Sequence, residues 1–245
     1  MRIDVLTLFP ELFPPVLGSS ILGIAQRKGA VEYRVVNIRD FAHDKHQVCD
    51  DEPYGGGPGM VMKPEPICRA LRKLRDEDPG VRVVLLSPRG RTYTQATARS
   101  LSAEPHLAFL CGHYKDIDER VRAIIDLDIS LGDYILTGGE MAALAVIDSI
   151  VRLLPGSISD PLSAELDSFE AGLLDHPHYT RPEEFEGQRV PEVLRSGNHA
   201  QIKRWRRKES LRLTRRHRPD LLAAAPLTDE DRELIREIET EENKT

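Results

Sequence analysis

Leu131-Gly132-Asp133-Tyr134-Ile135-Leu136-Thr137-Gly138-Gly139-Glu140 leads from an apolar, strand-like segment through a glycine pair into the apolar run Met141 to Leu154. A turn of this kind lets backbone groups touch a flat ligand, because glycine has no Cβ to stand in the way. Two similar transitions precede it, Val83-Val84-Leu85-Leu86-Ser87-Pro88-Arg89-Gly90 and Leu107-Ala108-Phe109-Leu110-Cys111-Gly112-His113-Tyr114. Each one alone is ordinary turn chemistry after a buried strand. Together, at the ends of three short strands, they read as one composite ligand site.

Outward from these loops, strand-like and helix-like segments alternate, which is the pattern of an α/β domain with a mostly parallel sheet. Strands are expected at 2 to 8, 31 to 38, 82 to 86, 106 to 111 and 127 to 131. Helices are expected at 19 to 28, 64 to 75, 94 to 101, 117 to 124 and 141 to 154. Periodicity then stops at Pro155-Gly156 and returns near Ala200, and a structureless stretch of that length in a compact protein is usually functional or mobile. We expect a catalytic domain over 1–156, an interdomain linker over 157–173, and a small, mainly helical domain over 174–245. Asn198 or a near neighbour starts a helix carrying Trp205, and Thr228 is the expected N-cap of the last helix. The acidic end, Glu239 to Lys244, reads as a solvated, fraying tail.

The 245 residues, 40% hydrophobic and 30% charged, describe a soluble globular chain able to bury a substantial core. No apolar run is long enough to span a bilayer, and Asp4 with no cleavage pattern argues against a secretory signal. The expected location is the cytoplasm, with no membrane partner. Cys49, Cys68 and Cys111 are odd in number and widely spaced, so they form no disulfide framework. His43 and His46 lie near Cys49, but without a second ligand cluster no metal site is read here.

A net charge of -6 argues at first against a nucleic-acid partner. Its distribution reverses the inference: Lys203 to Arg218 holds nine Lys or Arg against Glu209 alone, a stretch of +8 in a chain otherwise at -14. Such a segment is an electrostatic footprint for phosphates. Around Trp205 it favours RNA contact, with Arg206 and Arg207 as candidate docking residues and specificity coming from bases outside a duplex.

In order and spacing, these loops resemble those of the SPOUT-class methyltransferases, and most closely the bacterial tRNA (guanine-N1)-methyltransferase family. The resemblance extends to Met1-Arg2-Ile3-Asp4-Val5-Leu6-Thr7-Leu8-Phe9-Pro10, Asp51-Glu52-Pro53-Tyr54-Gly55-Gly56-Gly57-Pro58-Gly59-Met60, Asp167-Ser168-Phe169 and Leu173-Leu174-Asp175-His176-Pro177-His178-Tyr179-Thr180-Arg181-Pro182. It implies a deep trefoil knot, which no pattern of hydrophobicity reveals. It also implies a homodimer, S-adenosylmethionine as methyl donor, and the anticodon stem-loop of tRNA as substrate. A magnesium requirement is not readable from these residues.

Methylating N1 of guanine requires a base for its proton and a donor for charge developing on O6. Read alone, Asp167 beside Ser168 is a turn cap, and Arg152 is a surface charge at a helix C-terminus. The resemblance makes Asp167 the base and sets Arg152 near O6. It implies a donor site of Leu86, Ser87, Pro88, Gly112, Leu131, Gly132, Tyr134, Ile135, Leu136, Gly138 and Gly139. Tyr114 either contacts the donor or packs. Tyr54, Gly59 and Asp175 are candidates for contact with the guanine. Where the family commonly has Tyr-Glu-Gly, this chain has Tyr114-Lys115-Asp116, which inverts a local charge. Three rivals are a non-catalytic RNA-binding protein, a methyltransferase acting on another RNA base, and a nucleotide hydrolase. The last is disfavoured because Gly55-Gly56-Gly57-Pro58-Gly59 lacks the Gly-Lys-Ser/Thr of a phosphate loop.

Overall fold

The computed structural model describes residues 1–158 and 167–243, and the chain divides into two compact units, Met1–Pro161 and Leu162–Thr245. The first unit is built on five parallel strands: β1 (Arg2–Thr7), β2 (Glu32–Asn37), then, after the two-residue pair β3 (Asp50–Asp51) and β4 (Val61–Met62), β5 (Arg82–Thr92), β6 (His106–Cys111) and β7 (Leu127–Ser130). Their order is β2-β1-β6-β5-β7. Helices α1 (Phe13–Leu17), α2 (Ser20–Arg27), α3 (Pro64–Glu77), α4 (Gln95–Ser102) and α5 (Glu140–Val151) connect or cover them.

Alternation along the central strands explains why they sit inside. Ile3, Val5, Val84, Leu86, Leu107, Phe109 and Cys111 join one buried cluster, with Phe13, Leu22 and the apolar side of α5. Leu6, Val83, Leu85, Ala108 and Leu110 join the other, with Ile67, Leu71 and Leu74 of α3. Apolar residues at consecutive positions therefore feed opposite faces, as a parallel sheet covered on both sides requires.

In this unit two expectations need correction. β5 does not end at Leu86: Leu86 and Arg91 both register on Ile129, and the residues between them form an irregularity within a strand that continues to Thr92. Such a bulge re-aims side chains at the strand edge, and here it carries Ser87 and Pro88. The expected helix at 117 to 124 is a 3-10 turn over Glu119–Ile124, because Ile117 bridges to Met62 and Asp118 donates its N–H to Met62 O at 2.9 Å. The short α1 and the β3–β4 pair carried too few residues to show a period.

In the second unit, a hairpin of β8 (Glu184–Phe185) and β9 (Gln188–Arg189) precedes α6 (Glu192–Arg195), α7 (His199–His217), α8 (Pro219–Ala224) and α9 (Asp229–Glu242). Leu173, Leu211, Leu234 and Ile238 form its small core. Both predicted caps are present: Asn198 Oδ1 accepts from Gln201 N at 3.1 Å, and Thr228 with Asp231 closes a reciprocal capping box. The acidic end is not a tail up to Glu242. Instead α9 lies along α7, where Glu237, Glu241 and Glu242 take up Arg204, Lys208, Arg212 and Arg215.

Asp231 is the best-held of these acids, buried and bonded to Arg207 at 2.6 and 2.8 Å. The Arg207 guanidinium lowers its carboxyl from the ordinary 3.8 to about 2. Lowering of that size corresponds to about 2 kcal/mol of stability, present above pH 4 and lost as pH falls through the folded value. Asp231→Asn is expected to destabilise the second unit by about 2 kcal/mol through the lost pair and cap. Denaturant titration at pH 7 and pH 2 checks it: the difference from wild type shrinks at the lower pH.

Candidate methyl-donor site and RNA-binding unit

A cleft in the first unit is lined by Leu86, Ser87 and Pro88 from the β5 bulge, Ile129 and Ser130 from the end of β7, and Leu131, Gly132, Tyr134, Leu136, Gly138 and Gly139 from the following loop, with Ala142 of α5. Thus nine of the predicted donor-site residues line one cleft at the carboxyl ends of parallel strands. Three do not line it. Ile135 is exposed; Gly112 lies behind the glycine pair, its carbonyl accepting from Gly139 N at 2.8 Å; and Tyr114 packs edge-on to His113 with a left-handed φ of 62°. The sequence reading missed Ile129, Ser130 and Ala142, although they flank the predicted loop on either side.

The glycine pair is a steric necessity. A Cβ on Gly139 would sit 2.8 Å from Cys111 Cα and 3.1 Å from Gly112 N, both backbone atoms of the neighbouring strand end. A Cβ on Gly138 would meet His113 Nδ1 at 2.7 Å. His113 and Gly138 also form a β-bridge, so the second and third loops are laced together. Beneath them Glu140, the buried first residue of α5, accepts from Thr7 Oγ1 at 2.7 Å, which ties the end of β1 to the same helix. Burial and the Glu140 charge push the Cys111 thiol well up, so it stays protonated and inert.

The Tyr114-Lys115-Asp116 segment is zipped to the end of the glycine-rich loop: Lys115 N donates to Met60 O and Met62 N to Asp116 O, each at 3.0 Å. Gly59 has φ +91°, and a Cβ there would meet Lys115 Cγ at 2.8 Å, so the Lys115 stem covers this glycine. Asp116 Oδ2 pairs with Arg122 at 3.0 Å, and Arg122 also reaches Asp128 and the Ser87 hydroxyl. Desolvation raises the Asp128 carboxyl even beside Arg122. Tyr54 is fully exposed, and Arg152 caps the C-terminus of α5.

The second unit has its own cavity, whose lining includes Asp167, Asp175, His176, His178, Lys203, Arg206 and Arg207. Asp167 and Asp175 are linked through the loop: Ser168 Oγ accepts from Asp175 N at 2.9 Å. The basic stretch divides in two. Arg204, Arg207, Lys208, Arg212, Arg215 and Arg218 are held in ion pairs, whereas Lys203, Arg206 and Arg216 are exposed and form none among the described residues. Among the described residues no helix is long and apolar enough to cross a membrane.

Residues 1–224 match the family model described as tRNA (Guanine-1)-methyltransferase TrmD. Proteins named tRNA (guanine-N(1)-)-methyltransferase are 55% identical over 242 residues in Brevibacillus brevis, covering 98% of this chain and 99% of that protein. The corresponding figures are 56% over 239 residues in Bacillus licheniformis, 97% and 98%, and 54% over 245 residues in Dehalococcoides mccartyi, 99% of both. A cleft built by two loops at parallel strand ends fits this match, and the similarity over nearly the full length shows that the chain belongs to the tRNA (guanine-1)-methyltransferase family.

Proposed function

We propose that this enzyme transfers a methyl group from S-adenosylmethionine to N1 of the guanosine immediately 3′ of the anticodon in tRNA. The observation that carries the reading is the convergence of the first and third loops on one cleft whose glycines leave no room for a Cβ. Its wall combines apolar side chains, Leu86, Leu131, Leu136 and Ala142, with the exposed backbone of a glycine turn. That mixture fits an adenine, which needs flat apolar contact and hydrogen bonds at its edge.

S-adenosylmethionine supplies, when bound, a methyl carbon on a sulfonium. Asp167 accepts the proton leaving guanine N1, and Arg152 offsets the charge developing on O6. Tyr54, Gly59 and Asp175 contact the guanine side. Residues 1–156 serve as the donor-binding domain, with a trefoil knot threading its C-terminal loops. Residues 157–173 are the linker carrying the base, and 174–245 dock the anticodon stem-loop. The enzyme works as a cytoplasmic homodimer in which Asp167 of one subunit serves the donor site of the other.

The test is transfer of labelled methyl from S-adenosylmethionine to unmodified tRNA transcripts carrying guanosine or adenosine 3′ of the anticodon. Label recovered as 1-methylguanosine from the first transcript alone is the expected result; label on another nucleoside, or none, rejects the reading. Docking is tested separately. Arg206→Ala is expected to raise the KM for tRNA, not for the donor, and to reduce the slope of log affinity against log salt by about 1. Its melting temperature stays at the wild-type value, since Arg206 pairs with no acid among the described residues. Arg207→Ala is expected to lose stability as well, because it strands buried Asp231; equal melting of the two variants contradicts this division.

A further inference from the structure

We propose that Asp175, His176 and His178 form a binding site for a divalent transition metal of the zinc, cobalt or nickel class. One donor atom from each residue lies within 4.8 Å of the others. Asp175 Oδ2 is 2.9 Å from His178 Nε2, and Asp175 Oδ1 is 3.8 Å from His176 Nε2. Metal bonds of about 2.0 to 2.2 Å set donor atoms roughly 3 to 3.5 Å apart. Closing on an ion therefore asks donor atoms within 4.8 Å of one another to draw together by up to about 1.5 Å, and His178, on the exposed rim, is placed to make that movement.

The surroundings already orient the donors. His176 Nδ1 lies 3.1 Å from Pro177 O. A proton on that nitrogen, donated to the carbonyl, leaves the Nε2 lone pair facing Asp175, the backbone bracing that metal-bound imidazoles use. The His176 N–H donates to Asp175 Oδ1 at 2.7 Å, and Asp175 N donates to the Ser168 hydroxyl, so the carboxylate is held at both its oxygen and its backbone. The two imidazoles pack with ring centroids 4.5 Å apart, and Trp205 lies against His176 at 6.3 Å, walling one side.

Two imidazoles and one carboxylate are a borderline donor set that suits zinc, cobalt or nickel; magnesium and calcium prefer oxygen alone. Three protein donors leave a position for water. The other His-Cys grouping, His43, His46 and Cys49, does not converge among the described residues. The proposal stands without the methyl-transfer reading, because it concerns binding alone.

The full chain, freed of metal, is titrated with Zn2+ by calorimetry and with Co2+ by visible absorption. One equivalent per chain, undisturbed by excess Mg2+, with cobalt d–d bands of nitrogen and oxygen ligation, is the expected result. Outer partners of metal ligands change affinity by 10- to 100-fold, so His178→Ala, which removes a ligand, is expected to weaken Zn2+ binding by at least about 100-fold. Its metal-free melting temperature stays at the wild-type value because the side chain is exposed. His176→Gln is a second variant with the same expected loss, and His46→Ala retains full affinity. No uptake, or Zn2+ binding unchanged in His178→Ala and His176→Gln, overturns the site.

Discussion

Asp167→Asn is expected to lower turnover by about 10²- to 10⁴-fold, the range general-base catalysis contributes, with the donor bound as tightly as before. The substitution keeps the size and hydrogen-bonding shape of the side chain but removes the carboxylate that we propose accepts the guanine proton. Asp167 belongs to the second compact unit, and the cleft proposed to hold the donor is built wholly from the first, so that pocket has no reason to change. An interaction made only in the transition state lowers kcat and kcat/KM together. Single-turnover transfer, paired with calorimetry of the donor, separates the alternatives. Unaltered turnover removes Asp167 as the base, and a parallel loss of donor affinity makes it a binding residue instead. Asp175→Asn is a useful companion, since Asp175 shares the loop and the Ser168 bond but is not assigned the proton.

Gly139→Ala is expected to weaken donor binding by at least about 10-fold, equivalent to 1.4 kcal/mol. A methyl group 2.8 Å from Cys111 Cα cannot be accommodated by a side-chain rotation, because the obstacle is the backbone of β6. The first turn of α5 must move away from the strand, straining the Gly139 N to Gly112 O bond and the loop that lines the cleft. Overpacking of this kind costs about 1 to 3 kcal/mol of stability as well. Gly112→Ala is the contrasting variant: its Cβ would meet Ile117 Cγ2 at an ordinary 3.7 Å, so stability is retained. Calorimetry with the donor and thermal melting of both variants check the pair. Normal donor affinity in Gly139→Ala would show that the loop does not need its present seat on β6.

The sheet was legible because its determinants are local and repeated. β6 is a short, mostly apolar run buried at every position, and β1 is buried after its first residue. The caps of α7 and α9 were legible for the same reason: Asn198 and Thr228 bond to N–H groups three residues away. Most of the cleft's lining followed from the first and third loops. Gly112, expected to keep space for the donor, seats the glycine pair through its carbonyl, and Tyr114, read as either contacting the donor or packing, packs against His113.

Chain order alone could not decide which charges are spent inside the protein. Arg207 and Arg206 are neighbours in an unbroken basic run, but Asp231, 24 residues on from Arg207, holds only Arg207. The end that reads as a solvated acidic tail is the partner of that run, since α9 folds back along α7. The bulge in β5 likewise depends on β7, because Leu86 and Arg91 share Ile129. Asp175 appeared in the sequence only as a carboxylate beside the guanine, and its two histidines as loop residues. Their donor atoms converge because the turn from Ser168 to His178 closes on itself, supported by α7 through Trp205. Periodicity and capping act over a few residues, whereas ion pairing, strand register and ligand convergence are set by which distant segments packing brings into contact.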